Sequence, residues 1–458
     1  MKHKIYHTIN NLWAKLRRRR LLWDIMVTTC WNTLGRGVGL LIPFFIAAWF
    51  GVSGETDAFF FTYGLIFFLS DIFATVIETI IVPYIAEIRA QNGNVGEFIS
   101  NILGISGLGL LTLVIGFLFI IKPFLSLVTR FDAKTLNLVY LLLMEISPLV
   151  ILLVWTSVLV GSLNAYKQFA IPAMSPAFRA LVNLVTIFLL KDKFGVHTIA
   201  FGYVAGEIVR LVILISVIRR LNVFRLGLSF HLDSKIREFL KIASYQIIGM
   251  VAIDMNPVID KTMASWLGEG SVSILHYADR LYAIPSTFMS AGFMVALLSH
   301  WSSRYYEEGG QRLRNDLKKV TNITGGITLF VALFLVIFHQ PIVKFSFGRG
   351  VFSQERLFDV GWTWVCYLIG FMPNMLGRIY ARAHLTVKNT KVLMQYGFYS
   401  LFLNVLLNYA LMRFFKLPGI ALSTSFCSLF YFLYLRRTFN TMELCPTHFN
   451  PVNAELVN

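Results

Sequence analysis

Several charged side chains lie inside stretches of sequence that are otherwise apolar enough to span a lipid bilayer. They are Arg36, Asp260, Asp279, Arg280 and Arg378. A charge in hydrocarbon costs free energy unless it has a partner or lines a polar pathway, so residues of this kind mark ion and substrate routes. Arg36 lies near the middle of its stretch, where an arginine costs about 2.5 to 3.5 kcal/mol on insertion scales. These residues are therefore candidates for a binding pathway across a membrane.

The excess of arginine over carboxylate at these positions favours an anionic cargo. A guanidinium group binds phosphate through two parallel hydrogen bonds and stays charged when it is partly desolvated. Arg36 and Arg280 thus predict a phosphate-bearing substrate, whereas a cationic drug would need acidic residues. Arg378 lies near the end of its stretch and could extend its charge toward water. Asp260 and Asp279 are equally compatible with a role in function and with a role in packing.

The composition identifies an integral membrane protein. The chain has 458 residues, of which 56% are hydrophobic and 14% charged, and its mean hydropathy is +0.66. Soluble proteins have about a quarter charged residues. The connectors are too short for a soluble catalytic domain, and no motif for nucleotide, zinc or nucleophilic chemistry occurs, so we predict no enzyme activity and no metal. Cys30, Cys366, Cys427 and Cys445 have neither disulfide nor zinc spacing.

Apolar stretches long enough to cross about 30 Å of hydrocarbon recur along the chain. We predict about twelve transmembrane helices, in two lobes of six. The first lobe comprises Met26–Phe50, Ala58–Ile85, Ile102–Ile121, Leu138–Gly161, Ile171–Leu190 and His197–Ile218. The second comprises Ile242–Met263, Val272–Leu298, Val320–Phe338, Phe358–Ile379, Val392–Met412 and Gly419–Leu435. The predicted fold class is an all-α integral membrane protein.

The net charge of +17 follows from the loops between these helices. Its lysines and arginines do not form one stripe with interleaved aromatic residues, so nucleic acid is not a predicted partner. Basic residues concentrate on the side of the N-terminus, which predicts that both termini are cytoplasmic. The predicted regions are a basic segment that lies on anionic membrane lipids (1–24), an N-lobe (25–218), a basic connector (219–238), a C-lobe (239–437) and a polar tail (438–458).

The two lobes carry related sequences at an offset of about 220 residues. Asn183–Ala200 and Asn404–Ala421 both read as an asparagine, an apolar run, a basic turn and then Ile-Ala. Trp49, Phe50 and Gly51 likewise match Trp266, Leu267 and Gly268. An even number of spans in each copy gives both copies the same orientation, so we predict a parallel internal repeat with the binding site between the lobes.

Other charged residues in the spans have a simpler interpretation. Glu145, Arg179, Glu207 and Arg210 are expected mainly to pair across helices and fix their packing. Asp71 and Glu78 lie on one face of the second span because they are seven residues apart. If they pair with Arg36, they form a gating latch that an incoming pyrophosphate would open by competing for the guanidinium group.

Four segments of the sequence resemble the lipid II flippase family, MurJ/MviN, of the multidrug, oligosaccharidyl-lipid and polysaccharide exporter superfamily. These are FGVSGETDAFFFTY from Phe50, LVGSLNAYKQFAIPAMSP from Leu159, IDKTMASWLGEGSVSILHYADRLYAIPS from Ile259 and GRIYARAH from Gly377. The resemblance covers most of the chain. It implies that two six-helix lobes move an undecaprenyl-pyrophosphate-linked sugar from the inner to the outer leaflet of the bacterial cytoplasmic membrane by alternating access.

The resemblance also implies roles for particular residues. Arg36, Asp57 and Arg280 match family positions expected to bind the substrate headgroup, and we add Asp279 and Arg378 to this predicted site. Relatives that bind sodium use an aspartate of span seven with polar residues of spans eleven and twelve. Here those positions are Asp260, Asn404, Asn408 and Thr424, so Na⁺ or H⁺ coupling and a dependence on membrane potential are expectations. Cell-wall synthesis proteins are expected partners.

The chain departs from the family pattern in several places. Ile42 and Pro43 stand where relatives have a second arginine followed by aspartate, and Ser70 and Asp71 replace basic residues of span two. Asn408 stands where relatives have a carboxylate, and the two further C-terminal spans of relatives have no counterpart. Alternative functions are therefore export of an exopolysaccharide or teichoic-type lipid-linked oligosaccharide, export of a drug, and a non-transporting scaffold for wall synthesis.

Overall fold

The computed structural model describes residues 37–221, 224–290, 297, 301, 305, 309–387 and 389–443, and its regular elements are helices. The described helices are numbered α1 to α16 in chain order. They are α1 (Gly37–Phe50), α2 (Gly54–Ala90), α3 (Val95–Val128), α4 (Ala133–Ile146), α5 (Pro148–Ala165), α6 (Ala170–Phe194), α7 (His197–Arg220), α8 (Ser234–Asp254), α9 (Asn256–Ala264), α10 (Ser271–Ser290), α11 (Gly310–Ile337), α12 (His339–Phe347), α13 (Gln354–Ile369), α14 (Phe371–Thr386), α15 (Thr390–Phe415) and α16 (Leu417–Thr441).

The predicted all-helical, membrane-spanning fold is confirmed. Eight helices of the described part are long and apolar enough to cross a bilayer, when α4 and α5 are counted as one. These coincide with predicted spans two to six, nine, eleven and twelve. The remaining predicted spans fall on the apolar helix α1, on α8 followed by α9, on α10, and on α13 followed by α14. Residues 26–36 of the first predicted span, and 291–296 and 298 of the eighth, lie outside the described residues. The described residues thus contain enough membrane-spanning helices to identify a multi-pass membrane protein.

Three of the spans are interrupted by a local break in the helix. α4 ends at Ile146 and α5 begins at Pro148, while α9 has Pro257 in its first turn. Proline fits the first turn because no intrahelical partner is needed there for its missing N–H group. At the third break, Gly370 donates its backbone N–H to Ser425 Oγ at 2.9 Å. A side chain at Gly370 would come within 2.6 Å of the Ser425 backbone, so this close approach requires glycine.

Local geometry at the turns before α7 and α16 follows the predicted internal repeat. Gly195, between α6 and α7, has φ 54° and ψ −135°, and Lys416, between α15 and α16, has φ 52° and ψ −129°. Asn183 and Asn404, which begin the two related sequences, are both buried. The two helical pairs therefore share an unusual turn as well as a sequence pattern.

The chain divides into two compact units that several helices cross. Unit 1 comprises Met1–Ile42, Leu69–Ile121 and Leu141–Ile247, and unit 2 comprises Pro43–Phe68, Lys122–Tyr140 and Ile248–Asn458. The start of α2 thus belongs to unit 2 and the rest of α2 to unit 1. The predicted lobes, 25–218 and 239–437, were defined by the sequence repeat and have other boundaries than these units. They stay a prediction.

Aromatic rings hold the start of α2 against α10 within unit 2. The Phe60 ring stacks on the His276 ring with centroids 4.0 Å apart, and it meets the Tyr277 ring edge-on at 5.1 Å. Tyr277 also contacts Phe347 at 5.1 Å and donates its hydroxyl to the Gly51 carbonyl at 3.0 Å. This packing fixes the part of unit 2 in which most of the predicted site residues lie.

Candidate functional site

Asp57 lies in the first turn of α2 and is buried, with 1% of its surface exposed. Its carboxylate accepts hydrogen bonds from the backbone N–H of Gly270 at 2.6 Å and from the backbone N–H and hydroxyl of Ser273 at 2.7 and 2.6 Å. These donors lie at the start of α10, where the helix dipole also favours a negative charge. The geometry gives Asp57 the role of a cap for α10, and its predicted contact with a substrate headgroup stays a prediction.

Arg280 and Asp279 lie side by side on α10 in unit 2. Arg280 Nε is 3.9 Å from Asp279 Oδ2, and the two side chains are 32% and 48% exposed. Arg280 Nε is itself buried and has no hydrogen-bond partner among the described residues. Because Asp279 holds the guanidinium group only loosely, Arg280 retains donors for an anionic ligand.

Lys261 is a further charged residue of the same region, and no role was predicted for it from the sequence. It lies on α9, directly after Asp260, and its Nζ donates a hydrogen bond to the backbone carbonyl of Phe60 on α2 at 3.0 Å. The side chain is half-buried. It interacts electrostatically with Arg280, Asp279 and Asp260. Its signal in the sequence was a lysine close to the end of the predicted span Ile242–Met263.

His276 completes this group of polar side chains. It is 2% exposed, and its Nδ1 has no hydrogen-bond partner in the described part of the chain. Arg280 and Lys261 both act on it electrostatically. Lys261, His276 and Arg280 therefore bring basic groups from α9 and α10 into one region of unit 2, which we call the basic cluster.

Arg378 lies on α14, also in unit 2. Its Nε donates to Asn374 Oδ1 at 2.9 Å, and Asn374 Nδ2 donates in turn to Ser428 Oγ on α16 at 3.3 Å. Arg378 and Asp279 both interact electrostatically with Tyr282 of α10. The exposed Arg378 side chain thus lies in the same unit as the basic cluster, and its predicted role in substrate binding stays a prediction.

The residues predicted for ion binding come together in unit 2. Asn404 and Asn408 of α15 donate their amide groups to Asp260 Oδ1 at 3.0 and 2.7 Å, and Thr424 of α16 donates its hydroxyl to Asp260 Oδ2 at 3.3 Å. Asp260 is 6% exposed. Ser423, which was not predicted, donates its hydroxyl to Asn408 Oδ1. The cluster supplies carboxylate, amide and hydroxyl oxygens, which are ligands that hard cations accept.

Ion pairs in unit 1 confirm the packing role expected for several charged residues. Glu207 of α7 is fully buried and pairs with Arg179 of α6 at 3.2 Å and with Arg210 at 3.0 Å. It also accepts the hydroxyl of Thr156 at 2.6 Å. Glu145 pairs with His197 Nδ1 at 2.8 Å, so its partner is a histidine rather than an arginine.

The predicted gating latch involves residues of which only part is described. Arg36 lies outside the described residues. Asp71 and Glu78 lie on the part of α2 that belongs to unit 1, where Asp71 is exposed and Glu78 is half-buried and interacts electrostatically with Arg210. A pairing of either carboxylate with Arg36 stays a prediction.

The fold and these side chains define a class of protein. A multi-pass helical membrane protein with an internal repeat, a basic cluster and an acidic site inside its spans belongs to the class of membrane transporters. The family model described as lipid II flippase MurJ matches residues 46–445. This chain belongs to the lipid II flippase MurJ family.

Relatives and solved structures agree with this assignment. A protein of Buchnera aphidicola subsp. Acyrthosiphon pisum named probable lipid II flippase MurJ is 26% identical over 430 residues, which cover 91% of this chain and 83% of the relative. A Vibrio cholerae protein of the same name is 21% identical over 426 residues, or 89% of this chain and 80% of the relative.

The solved structures show the same fold at low sequence identity. A structure of the lipid II flippase MurJ in an inward closed conformation is 23% identical, with a TM-score of 0.79 over 92% of this chain and 88% of that one. An inward-facing multidrug resistance MATE family transporter of the MOP superfamily is 15% identical, with a TM-score of 0.74 over 89% of this chain and 94% of the other.

Proposed function

We propose that this protein is a lipid II flippase, which moves the undecaprenyl-pyrophosphate-linked glycan from the inner to the outer leaflet by alternating access. The observation that carries the proposal is membership of the lipid II flippase MurJ family over residues 46–445. The basic cluster lies within the residues that the family model matches. It suits the pyrophosphate of such a substrate, because ammonium and guanidinium groups form strong, charge-assisted hydrogen bonds to phosphate.

Substrate binding is assigned to the cationic side chains of the spans. Arg280 and Arg378 are the proposed contacts within the described chain, together with Arg36 outside it. Asp279 is proposed to orient the Arg280 guanidinium group, from which it is 3.9 Å away. Asp57 is proposed to act indirectly, because its carboxylate caps α10, the helix that carries Arg280.

Cation coupling is assigned to the cluster around Asp260. A Na⁺ ion would be held by Asp260, Asn404, Asn408 and Thr424, whose side chains already contact one another through Asp260. The asparagine amides would rotate so that their oxygens face the ion. Only one of these ligands is a carboxylate, so the proposed site has a lower affinity than a site with two negative charges. A dependence of transport on H⁺ or on membrane potential is part of the same proposal.

The proposed location is the bacterial cytoplasmic membrane, with both termini in the cytoplasm. The support is the excess of basic residues in loops on the side of the N-terminus. Membrane lipids and cell-wall synthesis proteins are the proposed partners.

The test is complementation in cells whose own lipid II flippase is depleted. Outer-leaflet lipid II is measured in cells that express the wild-type protein, Arg280→Ala or Arg413→Ala. The last variant is a matched control, because Arg413 is an exposed arginine at the end of α15 whose guanidinium lies over the Tyr409 ring. We expect outer-leaflet lipid II with the wild type and the control, and little with Arg280→Ala.

The other outcomes point to the alternatives. If no variant delivers lipid II although all are expressed in the membrane, the proposal is wrong. Delivery of an exopolysaccharide or teichoic-type precursor in the same assay would then identify another lipid-linked glycan as substrate, and drug efflux would identify a drug exporter. Restored growth with a transport-dead Arg280→Ala protein would indicate a scaffold.

A further inference from the structure

The surroundings of Lys261 differ from those of the three buried carboxylates in the described part of the chain. Glu207 is paired with arginines, and Asp57 and Asp260 are covered by hydrogen-bond donors. Lys261 instead donates to a neutral acceptor, the Phe60 carbonyl, and makes no ion pair with a described carboxylate. A half-buried ammonium group with only a carbonyl partner is incompletely compensated.

The Lys261 side chain packs closely against the α2 backbone at Gly64. Gly64 lies one turn after Phe60 on α2, and a Cβ atom there would be 2.5 Å from Lys261 Nζ and 2.9 Å from Lys261 Cδ. Any larger residue at position 64 would push the lysine away from the Phe60 carbonyl. The α2 surface therefore provides a resting place for the lysine that depends on glycine.

Charges of both signs act on the ammonium group at this position. Arg280 repels it, whereas Asp279 and Asp260 attract it. Neither carboxylate forms an ion pair with it, since Asp279 lies 3.9 Å from Arg280 Nε and Asp260 accepts hydrogen bonds from two amides. An anion placed between Lys261 and Arg280 would remove the repulsion and give both groups a charged acceptor.

We propose that Lys261 is a headgroup-binding residue that leaves the Phe60 carbonyl and donates to a phosphate oxygen when the substrate enters. The inference rests on the proposed function in one respect, namely that the substrate carries a pyrophosphate. The exchange is favourable because a hydrogen bond from an ammonium group to a charged acceptor is about twice as strong as one between neutral groups. Without substrate, the Phe60 carbonyl keeps the ammonium group hydrogen-bonded.

Two consecutive residues of α9 then have different functions, because Asp260 is the proposed cation ligand and Lys261 the proposed headgroup ligand. Asp260 contacts α15 and α16, whereas Lys261 contacts α2. α9 has only nine residues and lies between a break at Met255 and a short 3-10 turn at Ser265–Leu267. The proposed headgroup ligand and the proposed cation ligand are therefore adjacent residues of one short helix.

The experiment measures the binding of three lipid ligands to purified full-length protein in lipid nanodiscs. The ligands are lipid II and undecaprenyl pyrophosphate, which has the diphosphate but no glycan, and undecaprenol serves as a ligand without phosphate. The variants are Lys261→Met, Lys261→Arg, Gly64→Ala and Lys344→Met. Lys344 is an exposed lysine of α12 and provides the control for loss of one positive charge. Thermal unfolding of each variant is recorded in parallel.

We expect Lys261→Met to bind both diphosphate lipids about tenfold more weakly, since one charge-assisted hydrogen bond is lost. Binding of undecaprenol and the melting temperature should stay close to those of the wild type, and Lys261→Arg should restore most of the affinity. Gly64→Ala should bind the diphosphate lipids at least as well as the wild type, because the alanine removes only the resting place of the lysine.

Other results overturn the inference or separate it from the proposed function. Unchanged diphosphate binding by Lys261→Met would show that Lys261 is structural, even if the wild type binds lipid II. Weaker binding of undecaprenol to the same extent would also show a structural role. If the wild type binds undecaprenyl pyrophosphate in a Lys261-dependent way but not lipid II, the inference holds and lipid II is the wrong glycan. Failure of the wild type to bind either diphosphate would overturn both.

Discussion

Asp57 accepts two hydrogen bonds from Ser273, a residue 216 positions away in the sequence, at 2.7 Å from the backbone N–H and 2.6 Å from the hydroxyl. The contact joins the first turn of α2 to the first turn of α10. Ser273 also donates to Thr56 Oγ1 at 2.9 Å, and Glu269 Oε1 accepts the Gly54 N–H at 2.7 Å. The N-terminal ends of the two helices are therefore fixed to each other by buried polar groups.

Replacement of Asp57 should destabilise the protein. Asp57→Ala leaves the N–H groups of Gly270 and Ser273 and the Ser273 hydroxyl without their acceptor, and hydrogen bonds to a charged group contribute about 1.5 to 3 kcal/mol each. Because the contributions of bonds in one network are not additive, we expect the free energy of unfolding to fall by about 3 to 5 kcal/mol. The measurement is thermal unfolding in detergent, with Glu55→Ala as the control because Glu55 lies in the same helical turn but is exposed.

A different result would support the headgroup contact of Asp57 that the family resemblance predicts. If Asp57→Ala unfolds like the wild type but no longer binds lipid II, Asp57 contacts the headgroup directly. A loss of binding only in proportion to the loss of folded protein supports the role as a cap.

The spans and the internal repeat were predictable because each depends on short-range patterns. A hydrophobic run must be about 20 residues long to cross a membrane, and the repeat is visible as two related strings that begin at Asn183 and Asn404. The predicted cation ligands also came together, since Asn404 and Asn408 are one turn apart on α15 and both reach Asp260.

The identity of the partners could not be read from the sequence. The headgroup role of Asp57 was predicted from the family resemblance, and local sequence patterns could not predict its contact with α10, which lies far away along the chain. Lys261 was overlooked because its environment depends on a glycine of another helix, Gly64, and on a backbone carbonyl that no side-chain pattern reports. Such contacts depend on tertiary packing, which periodicity does not encode.

Glu207 should be essential for the stability of unit 1. Its carboxylate is fully buried and paired with Arg179 and Arg210. Removal of one partner of a buried ion pair leaves an uncompensated charge and costs about 3 to 5 kcal/mol. We expect a large fall in the melting temperature for Glu207→Ala, measured in detergent against Glu87→Ala, an exposed glutamate on α2. Equal melting of the two variants would show that the arginines are satisfied by water or by other groups.

The turn at Lys416 should be improved by glycine. Lys416 has φ 52° and ψ −129°, a sparsely populated conformation that costs an L-residue about 1 to 3 kcal/mol, whereas its repeat counterpart, Gly195, avoids this cost. Lys416→Gly is therefore expected to raise the stability by about 1 kcal/mol, since the greater freedom of glycine in the unfolded chain offsets part of the gain. Gly195→Ala should lower the stability by a similar amount, because nothing lies within 4 Å of the added Cβ and only the strain remains. Thermal unfolding of both variants measures the two effects, and a destabilised Lys416→Gly protein would contradict the argument.

The cluster around Asp260 should bind Na⁺ more tightly when a second carboxylate is added. Asn408 Nδ2 lies 2.7 Å from Asp260 Oδ1, and Asn408 Oδ1 accepts a hydrogen bond from the Ser423 hydroxyl. Asn408→Asp therefore places a negative charge beside Asp260. Without a cation, the two carboxylates repel each other and lower the stability. With a cation, they hold it together, so Na⁺ should raise the melting temperature of Asn408→Asp more than that of the wild type. K⁺ and choline at the same ionic strength are the controls, and Asp260→Ala should abolish the response to Na⁺. If Na⁺ stabilises Asp260→Ala as strongly as the wild type, the cation binds elsewhere, and the proposed Na⁺ site at Asp260 is wrong.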